Sequence, residues 1–582
     1  MTAAPIFPWL AESGYVRDDE TGCWRPPVAR PEFPYTDGEA VEAALLKAVR
    51  AAADRSVLSP ELGAAIRDWP SRYHLSPRRA NLLRPFGSWL AGRSVLEVGA
   101  GCGALTRFLG EAGARVLALE GSPRRAAVAA ARCADLDQVA VVADTLQHLQ
   151  PGEGFGLVTL VGVLEYARLL FPAEAGADPV DSMLARAREL LAADGALLLA
   201  IENPLGLKYF AGCAEDHVAE AMFGIEDRYR GDGVVTFGRA ELGARLAAAG
   251  LGATRWWYPF PDYKLPVAVL SEAAVAGDHG LDLTPLATGT VTADPQLPPA
   301  WLFSLEQAWR AVLRNRLGSD LANSFLVAAA PAAAALPPAG ALAHHYAAER
   351  RPEFAKEVAI RDANPPPRRR PWRRAAAPGA PRWRVESRRL APAAAAPELP
   401  LRQHLTDADF APGQLWHGRL LELLNEPGWS AAPLADWTAV WLEHLARHIG
   451  LPRAHLGWDA RLDGRLLDAV PRNLMVDGAA GTFIDLEWEL DGGLDFGHLF
   501  YRGVMLSLLG ASSCAAPAAG QPIDLGSLFL QIAERCGYAL STADLEPCHT
   551  AERRIQHWVH GGAWIGFGEL LLHPMPVRGD PA

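Results

Sequence analysis

The stretch SVLEVGAGCGALTRFLG, residues 94–110, decides the fold of the first half of the chain. Val95, Leu96 and Val98 make an apolar run of strand length, Gly99, Gly101 and Gly103 follow at alternate positions, and helical spacing begins at Ala104. Glycines placed there let the backbone approach a ligand, and the helix N-terminus then offers it free N–H groups. A nucleotide-like cofactor is implied. Further out, the runs ARVLALE (114–120), VAVVAD (139–144), LVTLVG (157–162) and ALLLAIE (196–202) alternate with Ala/Leu/Arg-rich helical stretches. This alternation predicts βαβ units on a parallel sheet over about residues 90–270. Glu120 ends the second strand, where a carboxylate can take both hydroxyls of a ribose. Asp144 ends the third, placed to reach an adenine amino group, and Gly162 to Tyr166 follow the fourth at the carboxyl edge of the sheet.

The glycines alone leave two cofactors open, because Gly99, Gly101 and Ala104 also fit the GxGxxA form of a nicotinamide site. Glu97 favours the other. An acid two residues before the first glycine suits the amino group and sulfonium of S-adenosylmethionine better than a pyrophosphate. The segments YHLSPRRANLLRP, LEVGAGCGALTRFLGE, LEGSPRRA, VGVLEYA, IENPLGLKYFAGCAEDH, TFGRAEL and PFPDYKLP resemble the class I S-adenosylmethionine-dependent methyltransferases over about residues 70–270. The subgroup they look like is found with bacterial surface-polysaccharide synthesis. The resemblance implies a Rossmann-like α/β domain whose cofactor contacts fall on Glu97, Gly99, Gly101, Gly103, Glu120, Asp144 and Glu165. On the acceptor side it implies Glu202, Asn203, Lys208, Tyr209, His217, Asp262, Tyr263 and Lys264.

Methyl transfer is an in-line displacement at carbon, so a base is needed only where the acceptor carries a proton. A sugar hydroxyl calls for His217, Glu202 or Asp262 as base. A phosphate monoester is already ionised and calls instead for a basic clamp from Lys208, Lys264, Arg239 and the Arg84 segment.

The chain has 582 residues and a net charge of -12, which predicts at least two cores and excludes a general nucleic-acid coat. Only Lys47, Lys208, Lys264 and Lys356 are lysines, so each marks a place where a point charge survived against Arg. The seven cysteines are scattered, without metal-ligand spacing. Met1 to Gly14 has no basic start followed by an apolar run, and no apolar run reaches the roughly 18 to 20 residues of a membrane span. A soluble, cytoplasmic protein is expected. The composition predicts a helical and extended region packing on the methyltransferase over 1–85 and the methyltransferase domain over 86–275. A helical connection with an Ala/Pro linker follows over 276–341, its Val327 to Ala341 part read as linker or surface loop, and then a kinase-like domain over 342–575.

That last reading rests on Asp468 and Asn473 in LDAVPRN, followed twelve residues later by Asp485 in FIDLE, with a hairpin between them. The spacing lets Asn473 and Asp485 hold magnesium while Asp468 receives a hydroxyl proton, and Lys356 in FAKEV supplies a strand lysine for nucleotide phosphates. Residues 340–510 thus resemble an α+β kinase fold using ATP and magnesium. They lack a Gly-rich loop before Lys356 and a His-Arg before Asp468, and have Leu486-Glu487 where kinases carry Phe-Gly. A degenerate, binding-only module is the alternative. The whole arrangement resembles methyltransferase-kinases that cap O-antigen polysaccharides, implying a glycan or lipid-linked saccharide acceptor. The cluster from Arg368 to Arg389 is expected to be a solvated loop, with peripheral contact to an anionic membrane as its sharper reading.

Overall fold

The computed structural model describes residues 6–28, 30, 33–171, 176–277, 279–298, 300–363, 383–391 and 399–579. The chain folds as two compact units that interleave in sequence: Met1–Ala276 with Arg316–Pro352, and Gly277–Asn315 with Glu353–Ala582.

The first unit is built on β1 (Val16–Arg17), β2 (Trp24–Arg25), β3 (Ser94–Val98), β4 (Arg115–Leu119), β5 (Val139–Val142), β6 (Phe155–Val161), β7 (Leu191–Glu202), β8 (Ala253–Phe260), β9 (Ala268–Ser271), β10 (Ser324–Ala330) and β11 (Ala343–Ala347). Their spatial order is β1-β2-β5-β4-β3-β6-β7-β10-β8-β9-β11. The core β5-β4-β3-β6-β7 is parallel throughout. Helices on its faces leave these strands buried on both sides, which is why they read as continuous apolar runs. Ser122 and Asp178 cap the helices Pro123–Arg132 and Pro179–Glu189, each with proline at its first turn. The N-terminal region packs on this body: β2 extends the sheet beside β5, and Leu45, Val49, Leu62 and Leu75 share a core with Val128 and Cys102.

The expected Ala/Pro linker is corrected by β10. Ser324–Ala330 is a fully buried strand, antiparallel to both β7 and β8, in the middle of the sheet. An alanine-rich run with no polar alternation is what a strand covered on both faces looks like, and in an Ala-rich chain it passes for low complexity. The boundary at 342 moves for the same reason, since Ala343 to His345 pair with β9. The helix Leu305–Arg314 belongs to the second unit.

In the second unit β12 (Lys356–Asp362) pairs antiparallel with β13 (Trp383–Arg389). A hairpin of β14 (Leu474–Asp477) and β15 (Ala480–Phe483) leads to the segment Ile484 to Glu487. The helices Trp416–Leu424, Ala431–Ile449, Phe496–Leu509, Leu525–Arg535 and Thr542–His560 enclose a core around Trp441, Leu467, Phe500 and Phe529. Of the cluster from Arg368 to Arg389, residues 368–382 lie outside the described residues, and Trp383–Arg389 is strand β13 rather than loop. Among the described residues no helix is long and apolar enough to cross a membrane.

Candidate functional site

At the carboxyl edge of β3 the chain turns through Gly99, Gly101 and Gly103 at φ of 69°, 57° and 78°, all in the left-handed region. Gly99 also faces a wall, because a Cβ there would stand 2.6 Å from Cγ2 of Val163. Only glycine allows both the dihedral and the approach. The turn is locked to the next strand by Glu120, whose Oε2 accepts the Gly101 N–H at 2.6 Å and Oε1 the Ser122 N–H at 2.9 Å. Each oxygen keeps a lone pair for a ligand hydroxyl. Beneath the turn Glu97 is buried and accepts from Thr106 Oγ1 at 2.5 Å. Burial pushes its carboxyl up to about 7.

Asp144 departs from expectation. Arg30 Nε and Nη2 donate to its two oxygens at 3.0 and 3.2 Å, and Tyr15 adds a third bond at 2.7 Å. The carboxylate expected to reach an adenine amino group is held by the N-terminal region instead. Arg30 and Tyr15 lie more than a hundred residues away, with no spacing to announce them.

Beside the glycine turn, β6 and β7 end in a buried polar cluster. Tyr263 donates to Glu202 Oε1 at 3.1 Å and stands 3.4 Å from Glu165 Oε1. Lys264 Nζ lies 2.5 Å from Glu202 Oε1 and 3.3 Å from Asp216 Oδ1. His217 Nε2 is 3.6 Å from Glu202 Oε2, while its Nδ1 is bonded to Tyr166 at 3.1 Å. Burial, reinforced by the charge of Glu202, pushes the Glu165 carboxyl up to about 8. Burial also disfavours the ionised form of Glu202, yet Lys264 and His217 hold it well below the usual carboxylate range. The His217 imidazole resists its own burial and is raised to about 9 by Glu202 and Glu165. Glu165, expected among the cofactor contacts, therefore has its carboxyl in this cluster.

The other acceptor-side residues divide. Lys208 pairs with Asp262 at 3.2 Å and Asp216 at 3.5 Å, while Asp262 also accepts the backbone N–H of Lys264 at 2.8 Å and has the Lys264 ammonium 3.8 Å away, so the expected base Asp262 is matched with two lysines. Tyr209 is bonded to Asp216. Asn203 is spent on backbone, donating to Asp320 O and Ala322 O at 2.8 Å each and accepting from Leu205 N. Arg239 is paired with Glu272, and Arg84 donates to Asn81. The basic clamp expected for a phosphate is thus already matched with acids and amides. Asp216 is not among the residues the sequence singles out, although it lies in the quoted IENPLGLKYFAGCAEDH segment, whereas Tyr166 belongs to the Gly162 to Tyr166 loop placed at the carboxyl edge of the sheet.

In the second unit Lys356 Nζ meets Asp485 Oδ1 at 2.5 Å and Glu487 Oε1 at 3.1 Å. Asp485 has φ of 54°, which turns the chain where β15 ends. Asn473 Nδ2 donates to the backbone oxygen of Asp468 at 3.1 Å. The four expected residues thus fall into two tied pairs, Lys356 with Asp485 and Asn473 with Asp468, and the Asp468 carboxylate expected to receive a proton is matched with an arginine. Its Oδ1 takes Arg502 Nη2 at 3.2 Å, and Arg502 also holds Glu552 at 2.6 Å, whose other oxygen meets His498 at 3.0 Å.

Residues 96–197 match the family model described as "Methyltransferase domain". No curated protein is matched. Among solved structures the chain is similar to the N-methyltransferase NodS from Bradyrhizobium japonicum WM9, at 23% identity over 22% of this chain and 67% of that one, with a TM-score of 0.19. It is similar to the CcbJ methyltransferase from Streptomyces caelestis at 20% identity, over 37% and 93%, with a TM-score of 0.25. It is also similar to magnesium protoporphyrin IX methyltransferase from Synechocystis PCC 6803 with bound SAH, at 17% identity over 32% and 78%, with a TM-score of 0.24. The methyltransferase-domain match thus falls within the first unit, on the mainly parallel α/β sheet described above.

Proposed function

We propose that the first unit transfers a methyl group from S-adenosylmethionine to a hydroxyl oxygen of a cell-surface glycan. The observation that carries the reading is the glycine turn locked by Glu120 and set next to the buried Glu165, Glu202 and His217 cluster. Glu120 takes the ribose, Glu97 faces the cationic end of the cofactor, and Val163 closes the wall behind Gly99. In the displacement the acceptor oxygen forms the new O–C bond as the C–S bond breaks, its electron pair stays with sulfur, and the hydroxyl proton leaves into the cluster. A hydroxyl acceptor is favoured over a phosphate because Lys208, Lys264 and Arg239 are already paired with carboxylates. The glycan itself rests on the resemblance of the quoted segments.

Glu97 gives this reading a pH signature. Its pKa is raised from 4.5 to about 7, so it holds a proton below that point and must lose it to face a cation. Affinity for S-adenosylmethionine is therefore expected to rise with pH through about 7 and level off above it. Below, it falls by up to about tenfold per pH unit. Calorimetry across this range, with Glu97→Gln expected to flatten the profile, checks it.

A second reading is supported by the contact of Lys356 with Asp485. In it the second unit binds ATP and magnesium through Lys356, Asn473 and Asp485 and phosphorylates the glycan terminus, which the first unit then methylates. The pairing of Asp468 with Arg502 supports a binding-only module instead. Short glycan acceptors incubated with S-adenosylmethionine, with and without ATP-magnesium, and weighed by mass spectrometry separate these. Methylated glycan without ATP is the expected product; methylation only after phosphate is added would overturn the hydroxyl acceptor in favour of the coupled scheme.

A further inference from the structure

Four buried polar atoms at the carboxyl edge of β6 and β7 make no hydrogen bond of good geometry: Glu165 Oε2, Glu202 Oε2, His217 Nε2 and Lys264 Nζ, the last two lying 3.6 and 2.5 Å from the Glu202 carboxylate. Glu165, Glu202 and His217 converge, each offering one ligand atom within 4.8 Å of those of the other two. Leaving such groups unsatisfied in a protein interior costs on the order of 1–3 kcal/mol each, more when charged. One such atom is an accident of rotamer; donors from three converging buried side chains suit a shared ligand.

The surroundings are built to keep them so aimed. Tyr263 stands at Oε1 of both carboxylates, and Lys264 also takes Oε1 of Glu202, so neither holds an Oε2 atom. Tyr166 engages Nδ1 of His217, which fixes the ring and leaves Nε2 facing Glu202 Oε2 at 3.6 Å. Two ligands at about 2.1 Å from a metal, with a tetrahedral angle between them, stand about 3.4 Å apart. Ligating histidines characteristically have their second nitrogen held in this way by an outer hydrogen bond. The side chains are deep: Glu165 and Glu202 are 0% and 1% exposed, and the His217 side chain 9%.

We propose that Glu165, Glu202 and His217 form a binding site for a first-row divalent cation, with Tyr263 and Tyr166 as the groups that orient the donors. Two carboxylates and an imidazole suit Mn2+ or Zn2+. The role assigned to the cation rests on the methyl-transfer reading: it takes the acceptor hydroxyl oxygen as a further ligand and lowers its pKa. With the cluster's donors engaged as ligands, the O–H bond breaks with the proton passing to water rather than into the cluster, the electron pair stays on oxygen, and that oxygen attacks the methyl carbon as the C–S bond breaks.

The site is tested without turnover. The full chain, freed of metal by a chelator, is titrated with MnCl2 while free Mn2+ is followed by electron paramagnetic resonance, and S-adenosylmethionine binding is measured calorimetrically on the same samples. The wild type is expected to bind one Mn2+ per chain. His217→Gln and Glu202→Gln are expected to weaken it at least tenfold, and Tyr263→Phe, which keeps all three donors, by about tenfold or more through lost orientation. S-adenosylmethionine binding in each variant shows that the fold survives. A wild type that binds S-adenosylmethionine but no Mn2+, or equal Mn2+ affinity in all three variants, overturns the cation site and leaves the methyltransferase reading standing. Mn2+ binding without S-adenosylmethionine binding does the reverse.

Discussion

Glu120→Ala should abolish measurable cofactor binding while leaving the chain folded. The carboxylate does two jobs at once: it receives the Gly101 and Ser122 N–H groups that shape the turn, and it presents its remaining lone pairs to the ribose hydroxyls. Hydrogen bonds to a charged group contribute about 1.5–3 kcal/mol each, so losing a two-hydroxyl contact costs about 3 kcal/mol or more. That is on the order of a hundredfold in affinity before the slackened turn is counted. Calorimetric titration of the variant with S-adenosylmethionine, beside a thermal melt, reads both parts. Glu120→Gln keeps the shape but leaves one side-chain oxygen in place of two, and is expected to fall between. Wild-type affinity in Glu120→Ala would remove Glu120 from the cofactor site.

Arg502→Met should destabilise the second unit by about 3–5 kcal/mol, the range for breaking a buried ion pair from one side. Arg502 is the shared partner of Glu552 and Asp468, which are 0% and 5% exposed. Burial opposes the ionised form of Glu552, and Arg502 with His498 nevertheless holds its carboxyl well below the usual range. Methionine fills much of the arginine volume, so the loss reads the uncompensated charge rather than a cavity. A fall of about 10 °C in the midpoint of the transition assigned to this unit is expected. A shift within about 2 °C would mean that Glu552 and Asp468 find other partners.

Local signals were the ones that could be read in advance. The glycine turn, the strands that frame it and the acids at strand ends 97 and 120 all lie within one βαβ rhythm, where periodicity speaks directly. Glu202, His217, Tyr263 and Lys264 lie in separate segments that resemble the methyltransferases, and the structure gathers them at one sheet edge. Three of the four lysines sit in buried ion pairs, Lys208 and Lys264 in the first unit and Lys356 in the second, in keeping with a point charge that must fit between carboxylates. What stayed hidden is non-local. The partners of Asp144 come from 114 and 129 residues away, and those of Asp468 and Glu552 from another helix. Strand β10 was hidden differently, because alanine serves both a strand covered on two faces and a low-complexity linker, and composition alone favoured the latter.

The decisive experiment is a calorimetric titration of the full chain with S-adenosylmethionine, run against NAD under the same conditions. Saturable binding of one S-adenosylmethionine per chain, with no heat from NAD, is the predicted result; saturable NAD binding with none for S-adenosylmethionine would contradict the methyltransferase reading at its root.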